Sequence, residues 1–509
     1  MHGLCAPQTP DMSAKQDKAT VLILAGLQYG PTRALVTYLS PLAQHIRIVD
    51  KALVILPGAK SEQDGGSTSK SGEESVWLCY SDPESKAVFE QGARDWLVST
   101  DDSAGRRIEY LQGNLLREDT RQKAFSLPSA FSGKASSYDY VFDFTGEYDF
   151  EGDEQLHLER TTLLAAQLGK LAAELRVKAY VRLLPPYYQI KGDKAKRWKT
   201  PISESDLALP WNRRARWHHE AVRALASIPS LNLVIARHAT LYGRYMLNGL
   251  AKRLLIGSVY QYLQEKMEFL WGEDLPQYTV HVDDLCRAMW ALADWMSKTG
   301  RIKGDELASA NLAPCRPIPS WVNDYVSTAA GNPAESNEPT QNTLSKKQAK
   351  AAAAAYDDTE IDTLLAKRTA TVTAPLFNIV DQGATSQGHI SAIVAKLVGV
   401  KSGFHGSLIN QFAKLNMDAV LEDANQKHLE CWPEMLATSD PPISNAYLTP
   451  YLAREQLLNE PIILNGDKLC KLLEFEYKHP RVTEQGLRDM LDAFRAQNNV
   501  WPNAKKSSS

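Results

Sequence analysis

Several signatures that would settle a function outright are missing from this chain. Its six cysteines (Cys5, Cys79, Cys286, Cys315, Cys431, Cys470) lie far apart and none forms a Cys-x-x-Cys. That argues against a zinc site, and the expected metal complement is none. Scattered thiols suit a reducing compartment. The net charge is only −3, so there is no broad positive footprint for nucleic acid. A local cluster such as Arg213, Arg214 and Arg216 reads as a solvated helix face. No apolar run approaches the ~18 residues of a membrane span. The opening stretch, MHGLCAPQTPDMSAKQDK, has no apolar core and does not read as a signal peptide. The expectation is a soluble, cytoplasmic protein with a small-molecule ligand and no membrane or nucleic-acid partner. A homodimer is left open.

What is present is a large core. Of 509 residues, 44% are hydrophobic, ample for a sheet domain and a second lobe. Residues 1–18 read as a disordered tail. ATVLILAG (19–26) is a buried strand ending in glycine, and a helical pattern follows from about Thr32. Strand, glycine turn and helix form the opening of a dinucleotide-binding unit, where backbone and helix N-terminus receive pyrophosphate. Gly26 and Gly30 are the candidate glycines. Only Gly26 sits at an expected position; Tyr29 and Thr32 occupy the other two. The turn is therefore either a working phosphate loop or a degenerate structural one. HIRIVD ends in Asp50, 24 residues after Gly26. An acidic residue here suits the two ribose hydroxyls of NAD and repels the extra phosphate of NADP. The alternative is a strand-end turn residue.

The stretch 201–243 carries the resemblance. A polar segment ends at Pro210. A helix follows with Ala215, Ala221, Val222 and Leu225 on one face. Then LNLVIARHATLYG reads as a buried strand and turn. With Glu220, Arg237, Tyr242 and Gly243 in place, this order resembles the extended short-chain dehydrogenase/reductases, the NDP-sugar epimerase and dehydratase group. Further elements resemble it too: Ile108–Asp119 with Asn114 beside the adenine, and YDYVFDFTG with Thr145 and Gly146 against the cofactor. Tyr278–Met296 resembles the family's Val-His-Val-x-Asp motif, its helix capped by Asp283 and Asp284, with His281 structural. Gly466–Phe494 resembles the closing signature, through Tyr477, Pro480 and Thr483. The resemblance implies a doubly wound parallel sheet with a smaller helical substrate lobe, and NAD as cofactor.

The catalytic residues of that family are not matched. Its Tyr-x-x-x-Lys positions hold Asn212 and Arg216, and its paired serines correspond to Leu184 and Pro185. Asn212 cannot exchange a proton near neutral pH. Arg216 can still hold a ribose or phosphate but stays charged. Replacement acid–base groups are sought in Tyr187 and Tyr188, which follow the fifth strand, and in His218. His219 and His238 lie close in chain order. Arg160, Glu220 and His389 read as surface or cap residues. Three functions stay open. They are an atypical NAD-dependent epimerase, dehydratase or reductase acting on a sugar nucleotide or other carbonyl or hydroxyl compound, a cofactor-binding pseudoenzyme with a regulatory or scaffolding role, and an RNA- or protein-binding module. The expected division is a sheet domain over 19–245, joined again by 277–298, and a substrate lobe over 246–276 and 376–495. A flexible insertion occupies 57–76, a linker 301–374, and a second tail 496–509.

Overall fold

The structure is a computed structural model. It describes residues 18–27, 30–52, 54–55, 76–77, 108–132, 137–190, 198–316, 364–367, 369–443, 446, 448–496 and 501–503. The 57–76 insertion up to residue 75, Tyr29, the bulk of the 301–374 span and nearly all of the two tails lie outside these residues.

Short runs, half of them buried along their whole length, make the strands. They are β1 (Thr20–Leu24), β2 (His45–Asp50), β3 (Ile108–Gln112), β4 (Tyr140–Asp143), β5 (Ala179–Leu184), β6 (Leu233–His238), β7 (Ser309–Leu312) and β8 (Val372–Ile379). Every residue of β1, β2, β4 and β5 is buried, as strands covered on both faces require. They form one sheet in the order β7-β8-β6-β5-β4-β1-β2-β3. All neighbours are parallel except β7 and β8. The chain runs outward from β1 through β2 to β3, then returns to lay β4 on the other side of β1. That reversal is the switch point at which open α/β sheets bind ligands.

Helices cover both faces: α1 (Thr32–Leu39), α2 (Leu164–Glu174), α3 (Arg213–Ala226) and α5 (Val282–Ala308). The second lobe is built from α4 (Leu250–Leu263), α6 (Gln387–Val398), α7 (Ser407–Leu415) and α8 (Met417–Ala437), with α9 (Glu484–Arg495) closing the chain. Thr483 caps α9 by accepting from the Gly486 N–H, and the Tyr477 hydroxyl accepts from the Val380 N–H. Both ends of the 301–374 span are ordered structure instead of linker. Residues up to Ala308 complete α5, β7 follows at once, and Val372 opens β8 beside β6. Leu376–Ile379 thus belongs to the sheet, not to the substrate lobe. Asp283 and Asp284 lie inside the first turn of α5, past the capping position. His281 is the cap, its Nδ1 accepting from the Asp283 N–H. Glu220 is buried, not superficial; it pairs with Arg223 and accepts from the Cys315 N–H.

One polar group set sits in the middle of the sheet. Asp143 on β4 and Arg182 on β5 are register partners, both fully buried, 2.6 Å apart. The Tyr180 hydroxyl donates to the same carboxylate at 2.6 Å. Thr145 donates to it from both N–H and Oγ1, and its Oγ1 accepts from Arg182 at 2.8 Å. Removing one partner would strand the other charge in the core. Arg182→Met is expected to lower unfolding free energy by about 3–5 kcal/mol in urea denaturation. Asp143→Asn with Arg182→Met should recover most of it. A double variant as unstable as the single one would show that the pair is not the determinant.

Candidate functional site

The β1–α1 turn is tight because of its backbone. Gly26 has φ +83, and a Cβ there would come within 2.7 Å of Thr32 Oγ1 and 2.8 Å of Phe144 Cβ. Gly30 donates its N–H back to the Gly26 carbonyl. Pro31 stands at the N-cap of α1, and its side chain makes no capping hydrogen bond. Asp50 closes over this turn. Its carboxylate accepts from the Leu27 N–H and the Ala52 N–H, both at 3.1 Å. Lys51 beside it is exposed.

A cavity of about 790 Å³ opens at the carboxyl ends of the strands. It starts at Gly30 and Pro31, passes Leu183 and Pro185 at the end of β5, and runs deep into the second lobe. A cluster of aromatic and basic side chains meets on its wall near the sheet. Tyr187 packs edge-on against Phe150 and Trp211. Arg214 lays its guanidinium over Phe150 at 3.7 Å and Tyr187 at 5.0 Å, and donates to the Tyr148 carbonyl. His218, one turn on from Arg214, sits under Gly146. Gly146 has φ +144, and a Cβ there would fall 2.5 Å from His218 Cε1. His218 Nε2 lies 3.4 Å from the Glu147 carbonyl, and its buried Nδ1 has no hydrogen-bond partner among the described residues. Burial pushes the His218 pKa well down, so the ring is neutral.

The residues singled out in the sequence therefore separate. Tyr187 and His218 reach the cavity; Gly30 forms its rim. Tyr188 does not line it. Its hydroxyl meets His219 Nδ1 at 3.0 Å and its ring lies under Arg237 at 4.9 Å, all within the core. Arg216 does not line it either; Arg214 does. A helix turns about 100° per residue, so positions 214 and 218 share one face of α3 while 216 and 220 share another. Asn212 is the N-cap of α3, its Oδ1 accepting from the Ala215 N–H at 2.8 Å. Asn114 is exposed and binds its own turn at Leu116. Thr145 is committed to the Asp143–Arg182 network. Nothing in the sequence distinguishes Arg214 from Arg213 and Arg216. His281, Asp283 and His479 also come together, away from the cavity. The two rings stack with centroids 3.8 Å apart while His281 caps α5.

No family model and no curated protein matches this chain. Solved structures do resemble it in part. UDP-glucose 4-epimerase of Thermotoga maritima, bound to UDP-glucose, is 12% identical over 94% of this chain and 98% of its own, with a TM-score of 0.48. The Bordetella bronchiseptica enzyme WbmG, bound to NAD and UDP, is 11% identical over 96% and 99%, with a TM-score of 0.49. UDP-glucuronic acid 4-epimerase of Bacillus cereus, bound to UDP-glucuronic acid and NAD, is 12% identical over 93% and 98%, with a TM-score of 0.46. With scores below 0.5, the class rests on this chain's own strand order and glycine turn: a doubly wound α/β protein of the Rossmann type. Among the described residues no helix is long and apolar enough to cross a membrane.

The buried histidines give a pH prediction. Burial pulls His219 and His238 down to about 4. The unfolded chain then binds more protons than the folded one below the ordinary histidine value of ~6.5. Stability should fall as pH drops from ~6.5 toward 4, by roughly 1.4 kcal/mol per pH unit for each such proton. His219→Gln should remove one proton's worth of that slope in melts across this range. An unchanged slope would mean that His219 is charged in the folded state.

Proposed function

We propose that this protein binds NAD across the carboxyl ends of β1, β2 and β4 and acts on a small carbonyl- or hydroxyl-bearing molecule in the adjoining cavity, as an atypical enzyme of the epimerase, dehydratase or reductase kind. The observation that carries this reading is the continuity of one cavity from the β1–α1 turn to the second lobe, with Tyr187 and His218 on its wall. The turn fits the group: Gly26 bends it, α1 points its N-terminus at it, and Asp50 closes beside it. A carboxylate that accepts two N–H bonds has lone pairs left for two ribose hydroxyls. The dinucleotide supplies hydride transfer when bound.

The chain's own residues supply the rest. Tyr187 Oη makes no hydrogen bond among the described residues and is the group to donate or take a proton. Arg214 fixes the Tyr187 ring from below and offers a cation to an anionic substrate group. Neutral His218, holding its Nε2 toward the Glu147 carbonyl, lines the cavity with an uncharged ring. A second reading, a pseudoenzyme that binds the cofactor without turnover, draws on Asn212. Its side chain serves the helix cap and leaves no acid–base group at that position.

Two measurements test these readings. NAD should raise the melting temperature more than NADP, and Asp50→Ala should abolish the difference; a shift at least as large with NADP would remove Asp50 as the reader. On a turned-over substrate, Tyr187→Phe should lower kcat by more than about tenfold, or ~1.4 kcal/mol in the barrier. Asn212→Tyr with Arg216→Lys should give no gain in rate and cost about 1 kcal/mol of stability through the lost cap. Full rate in Tyr187→Phe would overturn its role. Tight NAD binding without turnover of any carbonyl or hydroxyl compound would favour the pseudoenzyme.

A further inference from the structure

The lobe end of the cavity has a wall that a sugar would not need. Phe269, Leu270, Trp271 and Val420 line it with Ile409 and Phe412 of α7. That helix is turned inside out. Leu408, Phe412 and Leu415, spaced at helical intervals on one face, are 78%, 50% and 84% exposed, and Ile409 is 43% exposed. Only Ala413 of the helix is buried. Polar bonds hold it in this attitude. Asn410 donates to the His405 carbonyl and accepts from the Trp271 N–H. Ile409 and Phe412 belong at once to the cavity wall and to the outer stripe, so the apolar surface leads from inside the cavity to the outside without a break.

The same chamber holds two cations that lack an acidic partner. Lys252 donates only to the Thr449 and Tyr451 carbonyls. Arg253 donates to Gln387 Oε1 at 3.0 Å and lies over the Phe269 ring at 5.0 Å. Neither has a carboxylate partner among the described residues. Lys266 and Lys427, on the same cavity, are paired with Glu268 and Glu265. Burial without a counter-charge pulls Lys252 down to about 8 and Arg253 to about 10. An anion placed there would relieve that cost.

We infer that this cavity accepts an anionic amphiphile, its carboxylate or phosphate held by Lys252 and Arg253 and its hydrocarbon chain leaving past Ile409 and Phe412 along α7. This names the substrate class of the site proposed above and rests on that reading only in treating the cavity as the substrate site. A second copy of the chain could cover the α7 stripe, but it would leave the two cations and the interior apolar wall unexplained.

The test uses the full chain with cis-parinaric acid, which fluoresces on entering an apolar site, and with its methyl ester as the uncharged probe. Saturable binding of the acid, one molecule per chain, is expected. Ile409→Gln with Phe412→Gln should weaken both probes by about tenfold or more. Arg253→Gln or Lys252→Gln should weaken the acid and spare the ester. No saturable binding, equal affinity for acid and ester, or indifference to the α7 pair would overturn the inference. So would self-association through α7, seen by sedimentation velocity, that excludes the probe. NAD melting shifts in the same samples separate the two readings. A chain that responds to NAD but ignores both probes loses only the amphiphile; one that binds the acid without an NAD shift loses only the dinucleotide.

Discussion

The buried Asp143–Arg182 pair is the constraint on which the site depends. A charge in the sheet interior is tolerable only when its partner and hydrogen bonds are fixed. Asp143 therefore holds Thr145 by two bonds, and Arg182 holds it by a third. That sets where β4 ends and where Gly146 turns. Gly146 lies so close over His218 that a single added methyl would displace the ring. The cavity wall is thus positioned from beneath, by electrostatics in the core, and not by the loops around it.

Helix α3 works on two sides. Its Arg214 and His218 face the cavity. Its Glu220 and Arg223 face away, paired with each other and bonded to backbone near Leu312, Cys315 and Ala370. The second set anchors the helix to β7 and to the segment leading into β8. An expected linker therefore fixes the helix that carries the candidate chemistry. The lobe behaves differently. Its α7 is held by a few polar bonds and exposes what a core helix would bury, a low-stability arrangement suited to a ligand-facing element.

How much was legible differs by element. ATVLILAG, HIRIVD and LNLVIARH are short, rich in β-branched residues and bounded by turns, and those features together read as buried strands. Asp143 and Arg182, charged residues within two otherwise apolar strands, are the sequence's signal of a core ion pair. The α7 stripe has the spacing of an ordinary amphipathic face, and periodicity says that a face is apolar and not which way it points.

The amino-acid sequence by itself determined the parallel sheet, the glycine turn followed by an acidic strand end, and the presence of Asn212 and Arg216 at the start of the helix before LNLVIARH. These follow from hydrophobic period, glycine chemistry and side-chain identity, all local properties. Only the tertiary structure decided that Tyr187 faces the cavity while Tyr188 faces His219, and that Arg214 serves the site while Arg216 does not. It alone decided that Asn212 is spent on a helix cap. Neighbours in sequence diverge because a strand alternates its sides and a helix turns about 100° per residue, and which side meets the cavity is set by packing partners tens of residues away in the chain, such as His219 for Tyr188 and Tyr148 for Arg214.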